Sequence, residues 1–387
     1  MKKIIITLII IVIVVLVGWW FYSSRSAGPN GQQNGIFSIF FPSSGEKNIQ
    51  NLPGPATTTP GGAVSNGKLI EAGNLIQLTA NAITGAAAAS STIRYLEKST
   101  GNIYEINPDG TGRLRLTNTT ILKTAAALWS SNADKSIVSF FDENNNLKTF
   151  SLNLSTSTGI FLPQSLVAAT VSPAEDKIFY LASANSAFSG IIADFSNKNQ
   201  KNIFTSPFGE FNLAWPNKNT ITLLTKPSAN VPGFFYSLNP SSGAFQKILG
   251  DLNGLTALLS PDGTRAIYSE SGNSSLQTKI FNLKDKTTSD FDLRTLPEKC
   301  VWSKLNKDIV YCAVPDNFPA GDYPDDWYQG LVSLNDSLWQ KDFSSGKTSV
   351  LANNLNADVT NPFLTSDENY FVFTNKIDNA LWSLKLR

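Results

Sequence analysis

The stretch AVPDNFPAGDYPDDWYQG at positions 313–330 interleaves Asp316, Asp322, Asp325 and Asp326 with Phe318, Tyr323, Trp327 and Tyr328. Acids set among aromatics admit more than one chemistry. Exposed Trp and Tyr give a protein or peptide partner contact area at low entropic cost. A sugar ring could equally stack on Trp327 with its hydroxyls bonded to Asp325 and its neighbours. Calcium is a third reading because oxygen ligands are present, although the spacing is not that of an EF-hand loop. The plainest reading is a surface loop packed on itself. The candidate binding set is Asp316, Asp322, Tyr323, Asp325, Asp326, Trp327 and Tyr328. Cys300 and Cys312 are the only cysteines, and a hairpin that pairs Trp302 with Val310 sets them directly opposite, where a cross-strand disulfide can form. The chain contains no histidine. That removes Ser-His-Asp and Cys-His catalysis, His-ligated zinc and imidazole pH switching. Carboxylate pairs can meet in space and hydrolyse a glycoside, but no spacing marks one. No catalytic residue, metal or cofactor is assigned.

The elements that position this loop follow from a repeat. Short apolar runs ending in a polar turn recur with anchors at Ala87, Trp129, Val171, Trp215, Leu259, Trp302 and Leu364, spaced 42, 42, 44, 44, 43 and 62 apart. Each unit reads as strand, tight turn, strand, looser turn, strand, strand. Four short strands per 40 to 45 residues is the period of a propeller blade. The expected fold is all-β: a seven-bladed β-propeller, residues 68–387, with the 313–330 loop inserted in blade six. The anchor tryptophans are read as packing between blades. The last unit lacks a fourth strand, and NLIQLT at 74–79 lacks a partner, so an amino-terminal strand is expected to complete the last blade and close the ring.

Two segments resemble a known family. IYEINPDGTGRLRLT at 103–117 resembles the outer strands of a TolB-type blade, and SPDGTRAIYS at 260–269 resembles the inner hairpin shared by TolB-like and WD-like propeller repeats. The likeness covers about residues 74–387, with WPNKN at 215–219 and WSKLN at 302–306 departing from it. It implies blades and no chemistry. The TolB amino-terminal domain has no counterpart here, so a role in the Tol-Pal system does not carry over. Nor does the hydrolase activity of prolyl peptidases, since no G-x-S-x-G elbow is present.

Ile4 to Tyr22 are uncharged and follow Lys2 and Lys3. Nineteen residues at about 1.5 Å each span about 28 Å, close to a bilayer core, and Trp19, Trp20 and Tyr22 suit its interface. Residues 1–22 are read as a signal-anchor transmembrane helix and 23–67 as a Gly/Pro/Ser/Thr-rich linker, interrupted by the apolar segment 36–41. A cleaved signal peptide is the rival. The propeller is thus expected outside the cytoplasm, on the membrane. With 31 basic against 30 acidic residues there is no field for nucleic acid. The expected role is a non-enzymatic module binding an unknown envelope protein or peptide; the alternative is recognition or hydrolysis of a cell-surface glycan by a carboxylate-based site.

Overall fold

In the computed structural model, residues 75–272 and 275–386 are described. The anchor, the linker and the apolar segment 36–41 lie outside the described residues. Among the described residues no helix is long and apolar enough to cross a membrane.

The described residues form seven four-stranded antiparallel sheets. Blades one to six are residues 83–115, 124–161, 166–206, 211–253, 256–290 and 300–352, and blade seven is 359–385 completed by 75–77. Each inner hairpin is set by local chemistry. In SPDGT, Ser260 Oγ accepts from Arg265 N at 3.0 Å and donates to Asp262 Oδ1 at 2.6 Å, while Gly263 takes φ of 72° at the reversal. Thr365 and Asp367 repeat the device in blade seven, where Tyr370 N donates to Thr365 Oγ1 at 3.1 Å. Blade one departs from it. Its inner strand runs on to Ala89, paired with Thr92, and reverses through Ser90 and Ser91 alone. The two-residue turn shortens that repeat, so the blade-one counterpart of Trp129 is Ala88, opposite Ile93 as Trp129 lies opposite Ser136, and not Ala87.

Each second strand is sandwiched between neighbouring blades, and the alternation of a strand sends successive side chains to opposite neighbours. In Lys177–Ala184 of blade three, Ile178 and Tyr180 pack with Ile137 of blade two. Phe179 and Leu181 pack with Phe211, Trp215 and Ile221 of blade four. All four are fully buried, which is why such strands read as continuous apolar runs. Burial contributes about 25 cal/mol per Å² of apolar surface, so the interfaces between blades hold the ring. Trp215 and Trp302 belong to those interfaces, and Trp129 is likewise buried.

Ring closure is made by β1 (Leu75–Gln77) against β28 (Leu381–Lys385), with Leu75 opposite Leu384 and Gln77 opposite Trp382. Leu75 joins the core shared with Tyr311 and Phe371, and Leu78 the one shared with Ile93 and Tyr95. The first described strand therefore ties blade six and blade seven to blade one. In blade six, β22 (Cys300–Trp302) pairs with β23 (Ile309–Pro315), and Cys300 lies opposite Cys312 as Trp302 lies opposite Val310. The two sulfurs are bonded, with Cα atoms 4.0 Å apart.

A chain that alternates direction strand by strand puts every connection on one of two faces. The turns between first and second and between third and fourth strands form one, here the turn face. The remaining connections form the other, and the 316–335 insertion between β23 and β24 (Asp336–Asp342) emerges there. It is called the insertion face.

Candidate active site at the insertion face

The insertion folds inward. Its one regular element, α1 (Asp325–Tyr328), is a single helical turn. Asp325 Oδ2 accepts from Ala229 N of blade four at 2.5 Å. On the other side, Trp327 Nε1 donates to both oxygens of Asp358, at 2.9 and 3.0 Å, in the connection entering blade seven. Lys376 of blade seven lies over the Trp327 ring at 5.4 Å. Blades four and seven are as far apart as a ring of seven allows, so α1 lies across the mouth of the central channel. Ser271 Oγ donates to the Tyr323 carbonyl, and Gly254 has to be glycine at this approach: its φ is 61° and a Cβ would meet the Tyr323 oxygen at 2.8 Å.

This packing corrects the expected binding surface. Trp327 and Tyr323 are each 2% exposed and belong to a core with Leu276, Leu296 and Leu334. Their rings are withdrawn because stapling the loop over the channel mouth buries more apolar area than displaying it. Trp327 therefore presents no face on which a sugar could stack. Asp326 Oδ2 accepts from Asp322 N at 2.8 Å and closes the loop on itself. Asp316 accepts from Ser337 Oγ at 2.5 Å and Asn335 Nδ2 at 3.0 Å at the root of the insertion. Only Asp316, Asp322 and Tyr328 of the seven candidates are exposed. Asp322 and Tyr323 border a cleft of about 130 Å³ with Asn230, Asn253, Ser271 and Ser275, a lining of amides, hydroxyls and one carboxylate without a cation.

Two charged residues that the sequence reading passed over stand at the centre. The turn Pro297–Lys299 immediately precedes β22. Lys299 is fully buried; its Nζ donates to Asp336 Oδ2 at 2.7 Å, Asp358 Oδ1 at 2.6 Å and the Val359 carbonyl at 3.1 Å. Such a hub is tolerable only because each charge has a partner. Glu298, the next residue back, points to the solvent edge of α1. Tyr328 OH donates to its Oε1, whereas its Oε2 is sealed from solvent, with the Thr256 hydroxyl also acting on the carboxyl. Burial, outweighing the Tyr328 bond, pushes the Glu298 carboxyl above the usual carboxylate range. Burial and the nearby Glu298 push the Tyr328 phenol far up, so it remains a proton donor. The only trace in the sequence was two adjacent charges, Glu298 and Lys299, just before an inner strand, where each other repeat carries at most one.

No family model matches the sequence, and no curated protein matches it. Among solved structures, an oligogalacturonate lyase in complex with manganese superposes at a TM-score of 0.57 with 11% identity, over 82% of this chain and 94% of that one. The β-propeller domain of the trilobed protease from Pyrococcus furiosus, described with an open velcro topology, gives 0.52 and 13% over 78% and 95%. TolB from Acinetobacter baumannii gives 0.45 and 14% over 69% and 65%. Similarity at this level shows the propeller fold, and the neighbours include enzymes and non-enzymes. The expectation of a non-enzymatic protein- or peptide-binding module is corrected: the aromatic loop meant to receive a partner is buried, and the structures that share the fold include an oligogalacturonate lyase. Nor do the described residues fit manganese, since no group of three or more His, Cys, Asp or Glu converges and the chain has no histidine.

Proposed function

We propose that this protein is a membrane-anchored, extracytoplasmic propeller that binds a hydroxyl-rich glycan on its insertion face and cleaves it with Glu298 as proton donor. The observation that carries the reading is the Glu298 carboxyl: raised above its ordinary value by burial, with one oxygen sealed from water and the other held by Tyr328. A carboxylic acid that holds its proton more tightly than usual can deliver it to the leaving glycosidic oxygen while water adds at the anomeric carbon, the requirement of a general acid in sugar hydrolysis. The Tyr328 hydroxyl then stabilises the carboxylate left behind. Because Tyr328 belongs to α1, α1 must shift for a sugar to reach Oε2, so the insertion gates the site. The polar cleft beside Asp322 offers the hydrogen bonds that hold sugar hydroxyls. The lyase among the structural neighbours supports a glycan as ligand; the chemistry rests on Glu298.

The test is a panel of neutral and uronate polysaccharides, scored for new reducing ends and for the ultraviolet absorbance of an unsaturated product. Reducing ends alone indicate hydrolysis; both signals indicate elimination. Glu298→Gln is expected to lose about 10²- to 10⁴-fold in rate, and Tyr328→Phe less. Cleavage undiminished in Glu298→Gln, or none by the wild type on any polymer, overturns the proposal.

A further inference from the structure

The large apolar side chains left exposed are distributed unevenly. Leu122, Val167, Phe208, Val231, Leu331 and Ile377 all stand on the insertion face: Leu122 and Phe208 in the connections entering blades two and four, Val167 at the start of the blade-three inner strand, Val231 and Ile377 in the blade-four and blade-seven loops, and Leu331 in the insertion. Leu331 is 70% exposed, Leu122 62%, Ile377 61% and Val231 56%, so these are loop tips and not the rims of a packed core. On the turn face Leu305, 68% exposed, is the principal counterpart among the described residues. Two of the tips sit beside a lysine: Lys123 follows Leu122 and Lys376 precedes Ile377. Apolar tips in one plane with adjacent lysines are what an interfacial surface needs, since the side chains enter the acyl boundary while the ammonium groups stay among the headgroups.

We infer that the insertion face docks on the surface of a lipid bilayer. The inference rests on the anchor reading, which brings a bilayer to the domain; it uses none of the glycan chemistry, and docking of this face would confine that chemistry to glycans at the membrane surface. Between Tyr22 and Leu75 lie residues 23–74, 52 in all. Fifty-two residues can span at most about 170 Å. Strand β1 begins at the turn-face end of blade seven, since Leu75 lies opposite Leu384 near the end of β28. Strands of seven or eight residues make the ring about 25 Å deep, so the linker can pass the rim and allow the opposite face to meet the membrane that holds the anchor.

The full chain is reconstituted into vesicles of phosphatidylcholine and phosphatidylglycerol. A single new thiol at Leu331→Cys, Ile377→Cys or Leu305→Cys carries an environment-sensitive dye, the native cysteines being bonded and buried. Quenching by spin-labelled lipid is expected to be roughly twofold or more stronger at 331 and 377 than at 305. Equal quenching at all three sites, or none at any while the protein floats with the vesicles, overturns the inference. Failure to float at all is failure of the anchor reading instead. A dye shift without lipid quenching also overturns it: growth with protein concentration identifies a second copy as the cover, and loss on changing Phe37, Phe40 and Phe41 to Ser identifies the chain's own apolar segment.

Discussion

The two faces of the ring are made from the same repeat and use charge in opposite ways. On the turn face most acids are wet and satisfied locally; Glu368, buried and held by Ser303, Lys304 and Leu305 of blade six, is the exception. Hydrogen bonds from Ser344 and Ser345 hold Asp342 down to about 2, and Thr111 and Thr365 lower Asp109 and Asp367 in the same manner. Cations there reach across to the next blade, as Lys135 does to Asp176 at 2.5 Å and Arg265 to Asp308 at 2.8 Å. On the insertion face, Glu298 and Asp336 are dry, and burial raises both. A repeated turn leaves little room for variation, because its side chains close the hairpin that makes the blade. The longer connections between and within blades carry no such duty and can bury a lysine, close the channel mouth or hold an acid away from water.

The largest predicted effect tests the dry hub. Lys299→Met leaves Asp336 and Asp358 buried without their cation and is expected to cost about 3–5 kcal/mol, read by urea unfolding. A loss below about 1 kcal/mol would show the hub to be no different from the wet pairs. Next, replacing Cys300 and Cys312 by Ser removes a bond closing 12 residues and should cost about 2–3 kcal/mol. Intact mass with and without reductant, which should differ by about 2 Da, checks that the bond is present.

A smaller effect follows from Glu298. Its folded-state pKa lies above the ordinary 4.5, so the folded protein holds this proton more tightly than the unfolded chain does. The group's contribution is fully present below 4.5 and is lost as pH rises toward the raised value. Glu298→Gln has no such loss, so its stability relative to wild type should grow through that window and then level off. Parallel stability curves would contradict the burial argument. The smallest effect belongs to the turn face: Asp176→Ala removes a pair whose acid is 62% exposed and should cost under about 1 kcal/mol, less still at high salt.

Much of the architecture was legible because it depends on period. Trp129, Val171, Leu259 and Trp302 end inner strands and Trp215 lies two residues short of one, and their spacing counts blades without knowledge of any contact. The lone strand at 75–77 was readable from a missing partner in the last unit. The Cys300–Cys312 opposition follows from the sum rule of an antiparallel hairpin. Ala87 was misaligned because a two-residue turn and a five-residue turn look alike between apolar runs. The site was less legible. Composition marked 313–330 as unusual, but whether Trp327 faced water depended on Asp358, some 30 residues on, and on Lys376 beyond it. Glu298 carried no motif at all; its state is made by Tyr328 closing over it.

By itself the sequence determined the number of blades, the strand that closes them, the opposed cysteines and the loss of imidazole chemistry. These depend on local periodicity and composition, which a chain carries wherever it goes. The tertiary structure alone decided that the aromatic insertion turns inward, that Lys299 joins two distant aspartates, and that Glu298 is dry. Those properties arise from desolvation and from partners in different blades, and neither quantity exists until the ring has closed.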